Sequence, residues 1–83
     1  MATFMDVHTG MNGITEDQLR TEHQKDQLVE KSEGVRFLKT WADPVSGKVF
    51  CLSEGPNRAA VNRVHTKAGH PTTEIYEVPV IVE

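Results

Sequence analysis

Asp6 and His8 stand two residues apart in this sequence, and His23 and Asp26 stand three apart. On a strand the first spacing sends both side chains to one side of the sheet. On a helix the second makes them surface neighbours. Imidazole nitrogen with carboxylate oxygen is a ligand set that suits nickel, zinc, copper or cobalt rather than magnesium or calcium. The same groups could instead act as acid and base on a small molecule, because histidine titrates near neutrality and a buried carboxylate can be tuned. His65 flanks a stripe of Ala60, Val61, Val64 and Ala68 at helical spacing. His70, just before Pro71, reads as a loop residue rather than a ligand. Four histidines in 83 residues make the signal one of concentration, since each pair alone is a weak motif.

Plain structural readings stand beside these. His23 and Asp26 could form an ordinary helix-surface hydrogen bond, His65 could sit at the rim of its stripe, and Asp6 and His8 could face solvent near a strand end. Cys51, in an apolar strand, reads as packing. Asp26 weighs against a wholly bland account. At about 100° per residue it points the same way as Leu19 and Val29, with His23 at the edge of the stripe. A carboxylate on a core-facing stripe is costly unless paired, hydrogen-bonded or bound to a cation.

The elements that must position these residues follow from local signals. Ala2 to His8 alternates as a strand. Thr15 and Gln18 form a capping box for a helix running to about Ser32, with Glu16 and Asp17 at its positive end and Gly34 as its left-handed cap. Val35 to Ala42 and Lys48 to Glu54 read as a hairpin around Asp43-Pro44-Val45-Ser46-Gly47. Asn57 caps a second helix that Gly69 closes, and Thr73 to Val82 reads as the last strand, with Pro79 at an edge or bulge. The order β-α-β-β-α-β predicts a single ferredoxin-like α+β domain over residues 1–83. Right-handed crossovers put both helices on one face of a four-stranded antiparallel sheet. Phe37, Trp41, Phe50, Ile75, Val78 and Val80 divide between the two faces, so the open face is apolar as well. A second copy of the chain covering it is the economical solution, which predicts a homodimer through the sheet.

Composition narrows the classes. The chain is 37% hydrophobic and 25% charged with a net charge of −3, and it has no basic stripe, which argues against nucleic acid. No apolar run reaches a membrane span, and Met1 to His8 has no leader-like pattern. The single cysteine excludes an internal disulfide and suits the cytoplasm. Nothing resembles a nucleophile elbow, a phosphate-cradling glycine loop or a CxxC pair, so the chain reads as a binder rather than an enzyme.

Several segments, in order, resemble a family of short bacterial proteins long labelled a domain of unknown function and now regarded as nickel-binding. They are Met5-Asp6-Val7-His8, the His23-x-x-Asp26 helix, Val35-Arg36-Phe37-Leu38 with Trp41-x-Asp43, and Val49-Phe50-Cys51-Leu52-x-Glu54. His65, Gly69-His70 and Glu74-Ile75-Tyr76-Glu77-Val78 extend the likeness over almost the whole chain. Around Gly69-His70-Pro71 the chain departs from the family pattern, in which the histidine more often precedes the glycine. The resemblance implies a ferredoxin-like homodimer that binds nickel and serves in sequestration or detoxification. It does not say which residues are ligands. On residue type and spacing the candidates are Asp6 with His8 and His23 with Asp26, then His65.

One question divides the metal reading from a small-molecule site of the dimeric α–β barrel type. If Phe4, Asp6 and His8 face the helices, the polar residues converge in one interior cluster, as a substrate pocket requires. If Met5 and Val7 face them, the histidines are scattered, which suits surface or interface metal sites. Period-2 patterning cannot choose between the two when both faces are partly apolar.

Overall fold

The computed structural model describes residues 1–83. Strand β1 spans Ala2–His8, helix α1 Glu16–Val29, β2 Arg36–Asp43, β3 Lys48–Gly55, α2 Arg58–Lys67 and β4 Glu74–Glu77. All neighbouring strands run antiparallel in the order β2-β3-β1-β4, which is the split β-α-β topology that the element order predicts.

The helix ends follow the expected chemistry. Thr15 Oγ1 accepts from Gln18 N, and Gln18 Oε1 accepts from Thr15 N, at 3.2 and 2.9 Å. Past Val29 the helix tightens into a short 3-10 turn, Glu30–Glu33, and stops at Gly34 with φ 67°. Asn57 Oδ1 accepts from Ala60 N at 2.9 Å to open α2. Glu33 pairs with Arg63 and Lys67, both at 2.7 Å, tying that 3-10 turn to α2.

The last strand is shorter than expected, ending at Glu77 rather than Val82. Two causes coincide. Val78 N still donates to Thr3 O at 2.9 Å, but β1 has almost run out, since it begins at Ala2. Pro79 then has no N–H to continue the ladder. The Val80 and Val82 side chains that follow are exposed.

Register decides which residues reach the interior. Phe4 stands opposite Ser53, Asp6 opposite Cys51 and His8 opposite Val49. These residues are buried, with Val35, Phe37, Ala60, Val61 and Val64, between sheet and helices. Phe4, Asp6 and His8 therefore face the helices.

A bulge in β2 matters as much. Phe37 pairs with Ser53, but the next pair is Lys39 with Leu52, so Leu38 is the extra residue. Beyond it the parity flips. Thr40 and Ala42 turn inward opposite Cys51 and Val49, and Trp41 turns outward opposite Phe50. Without the bulge Lys39 and Trp41 would point at the helices.

The open face then carries Met5, Val7, Trp41, Phe50, Leu52 and Tyr76, adjacent in the register. Trp41 is 39% and Tyr76 51% exposed.

Candidate metal centre

Five side chains, from β1, α1, α2 and the turn after α2, form a continuous row of close contacts under the helices. Its middle is His65, completely enclosed on α2. Its Nδ1 lies 2.9 Å from Asp26 Oδ1 on α1, and its Nε2 lies 2.8 Å from Asp6 Oδ2 on β1. Ionised carboxylates only accept, so both ring nitrogens donate and the ring is an imidazolium. Burial, the strongest single influence, pulls its pKa down, but the hydrogen bonds to Asp26 and Asp6 and their charges outweigh it and hold it at about 9. Burial likewise pushes the two carboxylates up, and it is outweighed by the hydrogen bond to His65 and the closeness of His8 for Asp6, and by hydrogen bonds to His65 and His70 for Asp26. Both end below the ordinary carboxylate value. At neutral pH two negative charges thus flank one positive charge, which leaves an excess negative charge in the interior. Unpaired buried charge is costly, and a cation relieves it.

His8 continues the row. Its Nδ1 lies 3.2 Å from the Pro71 carbonyl, which can only accept, so Nδ1 carries the hydrogen and donates. Its Nε2 sits 2.9 Å from Asp6 Oδ1 but without hydrogen-bond alignment, and both atoms are buried with no other partner. A histidine that donates one ring N–H to a carbonyl and presents the other nitrogen to the interior is oriented as metal-ligating histidines are.

His70 closes the opposite end. Gly69, at φ 89°, is the first residue past the helical cap, and Gly69 N donates to Thr66 O while His70 N donates to His65 O, at 3.1 and 3.0 Å. This Schellman motif folds the residue after the glycine back over the last turn. His70 Nε2 consequently reaches Asp26 Oδ1 at 2.7 Å, and its Nδ1 lies 2.8 Å from Glu22 Oε2. The rings of His8, His65 and His70 form a triangle with centroids 4.6, 5.3 and 5.5 Å apart.

His23 stands off this row. Gln27 Nε2 donates to its Nε2 at 3.2 Å, and its buried Nδ1 has no partner. Turning the Gln27 amide over would let Nε2–H donate to Oε1 and free an Nδ1 lone pair for a cation. His23 and Asp26 share the wall of a cavity of about 30 Å³ with His8, Cys51 and His70, and Met11, Ile14 and Leu19 form its apolar side. That space has the volume of an ion or of a water or two, and the surface it exposes is mostly apolar. Pockets for organic ligands run to roughly 300–1,000 Å³.

Asp6, His8, Asp26 and His65 therefore converge, and His23 lines the cavity with His8 and Asp26, while Asp6 and His65 lie behind its wall. The ligand-capable atoms of Asp6, His8, Cys51 and His65 lie within 4.8 Å of one another, as do those of Asp26, His65 and His70. His70 and Cys51 were not among the sequence candidates. The signal for His70 was the glycine before it, since a Schellman motif brings the residue after the glycine beside the one five earlier, here His65. Cys51 gave no signal until strand register set it opposite Asp6.

The profile of a family described as nickel responsive protein SCO4226-like matches residues 4–78. Among solved structures, the crystal structure of SCO4226 from Streptomyces coelicolor A3(2) is similar at 59% sequence identity and a TM-score of 0.96, covering 98% of this chain and 100% of that one. No curated protein matches.

Proposed function

The chain belongs to the SCO4226-like family of nickel responsive proteins, and from that premise we propose that it binds a divalent transition metal, nickel first, and sequesters it. The ligands in this reading are His8 with Asp6 and His23 with Asp26. His65 has both nitrogens committed to carboxylates, so we assign it the role of holding Asp6 and Asp26 in place. Zinc, copper and cobalt fit the same donor types. A single unpaired cysteine accords with action in the cytoplasm.

One observation carries the reading: two buried lone-pair atoms able to ligate, His8 Nε2 and Asp6 Oδ1, face each other at 2.9 Å with no hydrogen-bond partner, beside an excess negative charge. Convergence of the polar residues would also suit an acid–base pocket. The size of the cavity favours an ion.

Imidazole must be neutral to ligate, so protons compete with the metal as pH falls through the histidine range, about 6.5 when unperturbed. Nickel titrated calorimetrically into wild type is expected to bind much more weakly at about pH 5.5 than at about pH 7.5. The His8→Ala, His23→Ala double variant should lose most binding while circular dichroism shows it folded. Unchanged affinity in the folded double variant, or equal wild-type affinity at both pH values, removes these histidines from the site.

We further propose that two copies pair through the open sheet face of Trp41, Phe50, Leu52 and Tyr76. Sedimentation at micromolar concentration is expected to give a dimer, with roughly 2,000 Å² or more buried between copies. A clean monomer boundary refutes it.

A further inference from the structure

We infer that Cys51 is a thiolate ligand of the bound ion and completes, with His8 and Asp6, an inner site of mixed nitrogen, oxygen and sulfur donors. The inference rests on the metal-binding reading above and names its innermost donor.

The placement comes from two registers at once. β1 pairing sets Asp6 directly opposite Cys51, with His8 on the same inward face. The Leu38 bulge turns Thr40 to the other side of the same sulfur. The sulfur belongs to the group whose ligand-capable atoms all lie within 4.8 Å of one another. The separate evidence for a ligand is in its neighbours. Asp6 is 0% and His8 7% exposed, and Oδ1 of one and Nε2 of the other are left without hydrogen bonds. Buried polar atoms are rarely left so unless something is meant to join them.

Thr40 shows how the thiol is kept before an ion arrives. Its hydroxyl donates to Phe50 O at 3.0 Å, so towards Cys51 Sγ, 3.5 Å away, it can only accept the S–H. Burial, with the Asp6 charge second, keeps the thiol protonated in the metal-free protein. A coordinated thiol loses its proton outright. The S–H bond breaks, the sulfur pair goes to the metal, the proton leaves to solvent, and the metal keeps its oxidation state. Thr40 can then rotate and donate O–H to the thiolate.

Charge supports the same set. A divalent ion is balanced by the Asp6 carboxylate and the Cys51 thiolate, while the His65 imidazolium is balanced by Asp26. The buried assembly is then neutral, which a monovalent ion would not achieve. Thiolate also moves preference away from magnesium, calcium and manganese.

The test is nickel titration of wild type, Cys51→Ser and Cys51→Ala, followed by calorimetry and by near-ultraviolet and visible absorbance. Sulfur-to-nickel charge transfer is expected in wild type and absent in both variants. Affinity should fall by at least the roughly 10–100-fold typical of a residue that merely supports a ligand. Cys51→Ser keeps the size and a polar group beside Thr40, and circular dichroism checks that each variant titrated is folded. Cobalt gives a second thiolate charge-transfer readout independent of nickel. Heat of binding without a charge-transfer band for either metal overturns the thiolate and leaves the metal-binding reading standing. Absence of binding by wild type overturns both.

Discussion

Replacing His65 by alanine is expected to destabilise the domain by about 3–5 kcal/mol, the cost of removing one partner from a buried ionic group. The whole stability of a domain this size is about 4–12 kcal/mol at typical values per residue. The variant should therefore lose a large share of its stability, and at the lower end of that range it is unfolded at room temperature. The cause is specific to the arrangement. His65 alone holds Asp6 of β1 and Asp26 of α1 together, at 2.8 and 2.9 Å. Without it two carboxylates face a cavity with their compensating charge gone. Urea denaturation followed by circular dichroism measures the effect. A midpoint shift equivalent to less than about 1 kcal/mol, within the range of an ordinary substitution, would show that the charges are not buried together as described. The triple change of His65 to leucine with Asp6 and Asp26 to asparagine should cost less than the single one, because it leaves no unpaired charge.

The metal-free protein should also have a dome of stability against pH with a steep alkaline side. His65 is raised from 6.5 to about 9 in the fold. Its contribution, about 3 kcal/mol at roughly 1.4 kcal/mol per unit, is full below 6.5 and is lost as pH rises through about 9. Asp6 and Asp26 behave oppositely. They are lowered from 3.8, so their contribution is full above that value and is lost as pH falls through the lowered folded values. These are the same hydrogen bonds seen from both ends and are not summed. Stability should therefore be greatest between about pH 4 and 6.5 and decline towards both limits. Denaturation midpoints across the range test this. A flat profile between about pH 6.5 and 9.5 contradicts an imidazolium held by two carboxylates.

Much of the scaffold was legible because it is written in local chemistry. The capping box of Thr15 and Gln18, the Asn57 cap, Gly34 and the hairpin turn each act within a few residues, and together they dictate the element order. Asp26 was legible too, as a carboxylate on an apolar stripe. What remained open depended on parity. Strand β1 offers Phe4 to one side and Met5 and Val7 to the other, and an alternating pattern with apolar residues on both faces does not say which side meets the helices. The Leu38 bulge was invisible for a related reason, since nothing in Arg36-Phe37-Leu38-Lys39 marks the inserted residue. His70 looked like a loop residue, which it is, and only the backward fold past Gly69 carries it to Asp26. The final strand reads longer in the sequence because Val80, Ile81 and Val82 have strand-like side chains, whereas its limits are the end of its partner strand and the missing N–H of Pro79.

The row from His8 to His70 also bears on how the chain reaches its native state. Its hydrogen bonds join residues 39, 44, 59 and 63 positions apart. Loop closures of that length are entropically disfavoured until other contacts hold the ends together. β1 and both helices must be docked, and the turn after α2 wound back, before the donors meet. An ion therefore finds no site on an extended or half-folded chain and cannot template the early steps. On the metal-binding reading proposed above, a bound ion is therefore expected to slow unfolding rather than to speed folding.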